Sequence, residues 1–91
     1  MKLIITVVQN QIADDVVDAL VQADYRATRF ASTGGFLRRG NTTIMIGVQD
    51  DQVDHVIEVI RGVVRKSGEP LPDGQAAATV FVLDLEEYQR L

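Results

Sequence analysis

Leu3 to Val8 is an unbroken apolar run rich in β-branched side chains and bounded by Gln9-Asn10. That pattern predicts a strand buried on both faces. The period then lengthens. Ile12, Val16, Leu20 and Ala23 recur at helical spacing, with Asp15, Asp18 and Gln22 between them, which predicts an amphipathic helix of about three to four turns. Asn10 is placed to cap this helix, Asp14-Asp15 to favour its first turn, and Asp24 to end it. Tyr25 to Thr33 alternates loosely and predicts a second strand. Arg26, Thr28, Phe30 and Ser32 fall on one side of it, and Tyr25, Ala27, Arg29 and Ala31 on the other.

Gly34 to Asn41 reads as a connecting loop, and Thr42 to Val48 as a third strand. Gly47 sits near the end of that strand, where a glycine marks a bulge or the close approach of a ligand. Asp50 or Asp51 is placed to cap a second helix, whose apolar stripe is Val53, Val56, Ile57, Ile60 and Val64. Arg61, Arg65 and Lys66 close it, complementing the helix dipole. Ser67 to Ala77 holds both prolines and two glycines and reads as a loop. Ala78 to Leu85 is the fourth strand, and Glu86 to Leu91 a short tail with room for one helical turn.

The order is therefore β-α-β twice over. Two such units form an α+β, four-stranded antiparallel sheet with both helices on one face, the ferredoxin-like arrangement. Strands one, three and four are apolar on both sides, so the face without helices is expected to meet other copies of the chain. Residues 1–91 are expected to form one domain. A chain of 91 residues buries only about 60–70% of its unfolded surface, and 46% hydrophobic residues is generous for so small a core.

Composition narrows the chemistry. No cysteine is present, which excludes disulfides and thiolate metal sites. MKLIITVV does not read as a signal-peptide core. No apolar run approaches the ~20 residues of a membrane span. The net charge of −4 argues against a general nucleic-acid or anionic-membrane coat. A soluble, cytoplasmic protein is the expectation.

Against that acidic background, residues 25–49 contain no Asp or Glu but hold Arg26, Arg29, Arg38 and Arg39. The window is +4 and the remainder −8. Gly34-Gly35 lies at its centre, followed by Phe36-Leu37 and then Gly40-Asn41. Glycine backbone N–H groups and guanidinium forks suit phosphates. Phe36 offers a face for a base, worth about 1–3 kcal/mol in nucleic-acid examples, and Asn41 an amide for a base edge. The same residue types also fit a glycine hairpin carrying solvated arginines. His55, the only histidine, reads as a surface residue beside helix-capping acids, since one histidine without cysteine makes no zinc site. Asp14-Asp15 and Glu86-Glu87 read as helix-start and tail charges. No Ser-His-Asp spacing, Walker motif or dinucleotide fingerprint occurs, so neither enzyme activity nor a cofactor is expected.

One longer stretch, YRATRFASTGGFLRRGNTTIMIGVQDDQVDHVIEVI, is similar to the pattern R-A-T-x-x-A-T-T-G-G-F-L-x-x-G-N-T-T, followed by an apolar strand, G-V and an acidic helix start. With the opening MKLIITVVQNQ and the closing ATVFVLDLEEYQRL, the chain resembles the PII-like cyclic di-AMP receptors of bacteria over nearly its whole length. The most specific part is Thr33-Gly34-Gly35-Phe36-Leu37-x-x-Gly40-Asn41-Thr42-Thr43.

The resemblance implies a non-enzymatic homotrimer that binds one cyclic di-AMP in each cleft between subunits and signals to a downstream protein not identified by the sequence. It implies that Arg26, Ala27 and Thr28 lie by the ligand and that Gly34 and Gly35 shape the pocket. Phe36 and Leu37 stand beside a base, Asn41 contacts the ligand, and Gly47 allows close approach. Phe81 and Arg90 are further family positions. Three departures stand out. Asp24 replaces a frequent asparagine, Arg90 a near-terminal glutamine, and the Ser67–Ala77 loop is much shorter than the family's. Two other readings fit the residues: a PII-like sensor of ATP or ADP, and a structural oligomerisation module docking a protein partner through Arg38 and Arg39.

Overall fold

A computed structural model describes residues 1–30, 40–67 and 77–85. Strand β1 (Lys2–Gln9) leads directly into helix α1 (Asn10–Gln22). Strand β2 (Ala27–Phe30) and strand β3 (Asn41–Val48) follow. A single 3-10 turn (Asp50–Gln52) then opens helix α2 (Val53–Ser67), and strand β4 (Ala78–Asp84) completes the order. The strands lie β2-β3-β1-β4, and each neighbouring pair is antiparallel. This is the α+β, ferredoxin-like arrangement that the periodicity predicts.

Alternation divides the sheet into two faces. Ile4, Val8, Ile44, Ile46 and Val48 are buried against the helices, where they meet Val16 and Leu20 of α1 and Val56 and Ile60 of α2. Each such side chain is worth about 1.5–3 kcal/mol on leaving water. Thr6 shares that face, fully buried between Ile44 and Val80, and its hydroxyl has no hydrogen-bond partner among the described residues. The opposite face carries Leu3, Ile5, Met45, Phe81 and Leu83, and no described element covers it. Phe81 is 53% and Leu83 47% exposed, and contiguous exposed apolar side chains of this kind mark interaction surfaces.

Several local expectations are corrected. Strand β2 begins at Ala27, not Tyr25; its expected end, residues 31–33, lies outside the described residues. Helix α1 is preceded by Gln9 as N-cap, with no side-chain capping bond, and Asn10 is its first residue. Asp14 and Asp15 fall just beyond the first turn. Before α2 the cap is Gln49, not Asp50 or Asp51: its N–H donates to Gln52 Oε1 at 2.9 Å, and the Gln52 N–H returns to the Gln49 carbonyl at 3.0 Å.

Asp24 does end α1, with φ +68. Its N–H donates to the Val21 carbonyl at 3.0 Å, and the Tyr25 N–H reaches back to Leu20 at 2.9 Å. This paired closure of a helix on a left-handed residue satisfies two carbonyls that would otherwise be left open. It also fixes where β2 starts.

Candidate ligand site

The site is built where β2 meets β3 at the sheet edge. Leaving the left-handed turn at Asp24, the chain sends alternate side chains to opposite faces. Ala27 pairs with Ile46 and Arg29 with Ile44, so both face the helices. Ala27 packs on the core, and Arg29 bonds Asp14 of α1. Arg26, Thr28 and Phe30 consequently face the other way. They line a hollow of about 330 Å³ together with Met45 and Gly47 of β3, Leu3 of β1 and Met1 just before it.

Two other hollows are of similar size. One of about 370 Å³ lies between the helices, with Asp15 and Asp18 facing Lys66. The other, about 320 Å³, is an apolar groove between α2 and β4, walled by Ile57, Ile60 and Val64. Chemistry separates the three. Among the described residues, Arg29 is paired with Asp14, Arg61 with Glu58 and Lys2 with Asp84. Among the described residues neither Arg26 nor Lys66 makes such a pair. The hollow beside Lys66 is also lined by Asp15 and Asp18, whereas no described acid lines the one beside Arg26. A guanidinium with five donors is thus set there in a lining that suits an anionic ligand.

Gly47 opens the floor. Its backbone is not in the positive-φ region, and a Cβ placed there would meet nothing nearer than Met1 Cε at 3.6 Å. The space above Gly47 is therefore kept by the missing side chain, not by any backbone need for glycine. Gly40 is the contrasting case: at φ +86 it turns the chain into β3, a conformation that glycine takes without steric cost.

Thus Arg26, Thr28 and Gly47 come together. Asn41 opens β3 on the same face as Met45 by strand alternation, paired in register with Gln9. Ala27 turns its side chain away from the hollow. Phe81 lies on the open face but across the sheet, at the far end of the cross-strand row Thr28–Met45–Ile5–Phe81. Gly34, Gly35, Phe36, Leu37, Arg38, Arg39 and Arg90 lie outside the described residues. Sequence reading did not single out Met1, Leu3, Phe30 or Met45 as lining residues; their signal was the shared parity of open-face positions on three strands. It also did not foresee the partner of His55. This exposed histidine at the start of α2 takes a 2.5 Å hydrogen bond between its Nδ1 and the Tyr25 hydroxyl, with the rings 5.6 Å apart.

Among the described residues no helix is long and apolar enough to cross a membrane. Comparison with solved structures finds the crystal structure of a functionally unknown protein from Pediococcus pentosaceus, 34% identical, with a TM-score of 0.76. The match covers 99% of this chain and 96% of that one, so the two are nearly equal in length. The sequence model of a family described as "Cyclic-di-AMP receptor" matches residues 1–76. On a match of that extent, across the sheet edge, the glycine segment and both helices, the chain belongs to the PII-like cyclic di-AMP receptor family.

Proposed function

We propose that this chain is a non-enzymatic cytoplasmic signalling protein that binds cyclic di-AMP in clefts between the subunits of a homotrimer. The observation that carries the reading is Arg26: a cation with no ion pair among the described residues, in a hollow lined by no described acid, floored by Gly47 and backed by an apolar sheet face. A cyclic dinucleotide brings two phosphates for such a cation and two bases for apolar and aromatic surfaces. Arg26 and Thr28 hold a phosphate-bearing edge. The family resemblance adds Gly34 and Gly35 as residues that shape the pocket, Phe36 and Leu37 as residues beside an adenine, Asn41 as a ligand contact and Arg90 as a further cation. The backbone of Ala27 completes the strand between Arg26 and Thr28.

Sheet dimensions support a site shared between copies. Thr28 and Phe81 stand three strands apart, roughly 14 Å at the usual strand spacing, with Met45 and Ile5 between them. A hollow of about 330 Å³ is at the small end of the roughly 300–1,000 Å³ typical of ligand pockets. A second subunit laid on the open face supplies the missing wall, brings its own Phe81 to the ligand, and covers Leu83 in the same step.

Calorimetry on the assembled protein with cyclic di-AMP, cyclic di-GMP and ATP tests this. Micromolar or tighter binding of cyclic di-AMP, one per subunit cleft and not displaced by ATP, is expected. No heat with cyclic di-AMP, or displacement by equimolar ATP or ADP, refutes it. A monomer by sedimentation at the same concentration removes the cleft altogether.

A further inference from the structure

Asn10 is the residue a helix start should use as its cap, yet its side chain is committed elsewhere. The Asn10 Oδ1 accepts a hydrogen bond from the Thr42 hydroxyl at 2.6 Å. The Asn10 N–H donates to the Gly40 carbonyl at 2.8 Å. The cap position is left to Gln9, which makes no side-chain capping bond. An asparagine at the cap stabilises a helix start relative to alanine, so the arrangement forgoes a local gain for two long-range bonds.

Those two bonds grip both chain neighbours of one residue, Asn41. Gly40 is turned by its φ of +86, which aims its carbonyl at α1. Thr42 faces the helix side of β3 and is tied to the first residue of the same helix. Asn41, between them, has its side chain on the open face. Gln9 makes the companion contact: its N–H donates to the Ala77 carbonyl at 3.1 Å. A single dipeptide at the β1–α1 junction thus fixes the places where the chain re-enters the sheet after residue 39 and after residue 76.

We infer that Asn10 is a positioning residue for the ligand site: through Gly40 and Thr42 it sets the place and direction of Asn41 without touching the ligand. The inference rests on the cyclic di-AMP reading above and adds to it a residue on the opposite side of the strand. Preorganisation of this kind appears as affinity, because a site already held in its bound geometry loses less freedom on binding. Loss of one side-chain hydrogen bond corresponds to roughly a two- to twelvefold change in Kd.

The test is a cycle of Asn10→Ala, Thr42→Val and the double variant, with Thr42→Ser as the conservative rescue that keeps the donor hydroxyl. Kd for cyclic di-AMP is measured by calorimetry, beside Tm and sedimentation. Asn10→Ala and Thr42→Val should each weaken binding about two- to twelvefold, and the double variant should be no weaker than the worse single. Thr42→Ser should bind like the wild-type protein. Unchanged Kd in both single variants, fully additive losses, or Thr42→Ser as weak as Thr42→Val overturns the inference while leaving the ligand reading intact. A wild-type protein that does not bind cyclic di-AMP overturns both. If Asn10→Ala does not assemble, the comparison of Thr42→Val with Thr42→Ser decides alone.

Discussion

Replacing Gly47 by alanine should move stability and affinity in opposite directions. Gly47 lies within β3, in register with Leu3, on the face that bears Arg26 and Thr28. Glycine inside a strand costs roughly 0.5–1 kcal/mol relative to alanine, because the unfolded chain has more freedom to lose. Nothing offsets that gain here: φ is not positive, and the new Cβ meets only Met1 Cε, at an ordinary 3.6 Å. The subunit should therefore gain about 0.5–1 kcal/mol. For a domain of this size that corresponds to a rise in Tm of roughly 2–8 °C.

The same methyl enters the hollow in which the proposed ligand lies against the strand. Filling a fitted space with an extra methyl costs about 1–3 kcal/mol, so Kd should rise roughly five- to 150-fold. Thermal unfolding at one fixed protein concentration, since subunit exchange makes Tm depend on concentration, would be read beside calorimetry and sedimentation. A variant more stable than wild type, still assembled and binding poorly, meets the expectation. A fall in Tm would show that glycine is needed for the fold. Undiminished affinity would show that the ligand does not approach Gly47.

Four further outcomes follow from the structure. Arg26→Ala should weaken cyclic di-AMP binding by at least tenfold, since charge-assisted hydrogen bonds are worth about 1.5–3 kcal/mol, with urea unfolding unchanged; equal affinity removes Arg26 from the site. Asp24→Gly should stabilise by about 0.5–1.5 kcal/mol, because it relieves a left-handed residue and removes an acid from a helix C-terminus; a lower urea midpoint would contradict this. Thr6→Val keeps the shape and removes a buried hydroxyl that has no partner among the described residues, so it should stabilise by about 1–2 kcal/mol, and destabilisation would reveal a bond to that hydroxyl. Lys2 and Asp84 face each other in the β1–β4 ladder; their hydrogen bond lowers the Asp84 pKa and raises that of Lys2. The Asp84 contribution is full above the unfolded carboxylate pKa of about 3.9 and fades as pH falls through its lower folded value; that of Lys2 fades as pH rises through its raised one. Asp84→Asn should flatten the acid limb of stability against pH, and about 1 M salt should abolish the difference, because the pair is exposed; a difference that survives salt would refute the exposed-pair account.

How far the sequence could be read depended on the range of the interaction. The elements were legible because burial imposes its period along the chain: Ile4 and Val8 on β1, Val16 and Leu20 on α1. The facing of β2 was legible too, since alternation alone puts Arg26 and Thr28 opposite Ala27 and Arg29. The caps were not. Asn10 has the right side chain for a cap, but Thr42, 32 residues away, competes for its carbonyl, and no local rule contains that partner. Gln49 and Gln52 were passed over because Asp50 and Asp51 between them are stronger capping types, although glutamine repeated at a three-residue interval was there to be seen. The Tyr25–His55 contact escaped for the same reason as Thr42: its halves are 30 residues apart.

Within the site, motif and geometry supplied different parts. The residue string R-A-T marks Arg26 and Thr28 but also draws in Ala27, whose side chain serves the core. Strand pairing separates the two roles and adds Phe30 and Met45, which no motif marks. Phe81 shows most clearly what a single subunit implies. A residue some three strands from Thr28 cannot belong to the same compact pocket within one sheet, yet an exposed aromatic beside Leu83 on an uncovered face is costly unless something lies on it. Both conditions are met by one step, the placing of one copy's open face beside another's edge. In the proposed assembly, the surface that joins the subunits and the surface that receives the ligand are the same sheet face. On that basis ligand and assembly must be thermodynamically linked: cyclic di-AMP should strengthen subunit association by the factor with which association strengthens cyclic di-AMP binding. Dilution sedimentation with and without the nucleotide measures that factor. Identical association constants in the two conditions would mean that the ligand sits within one subunit.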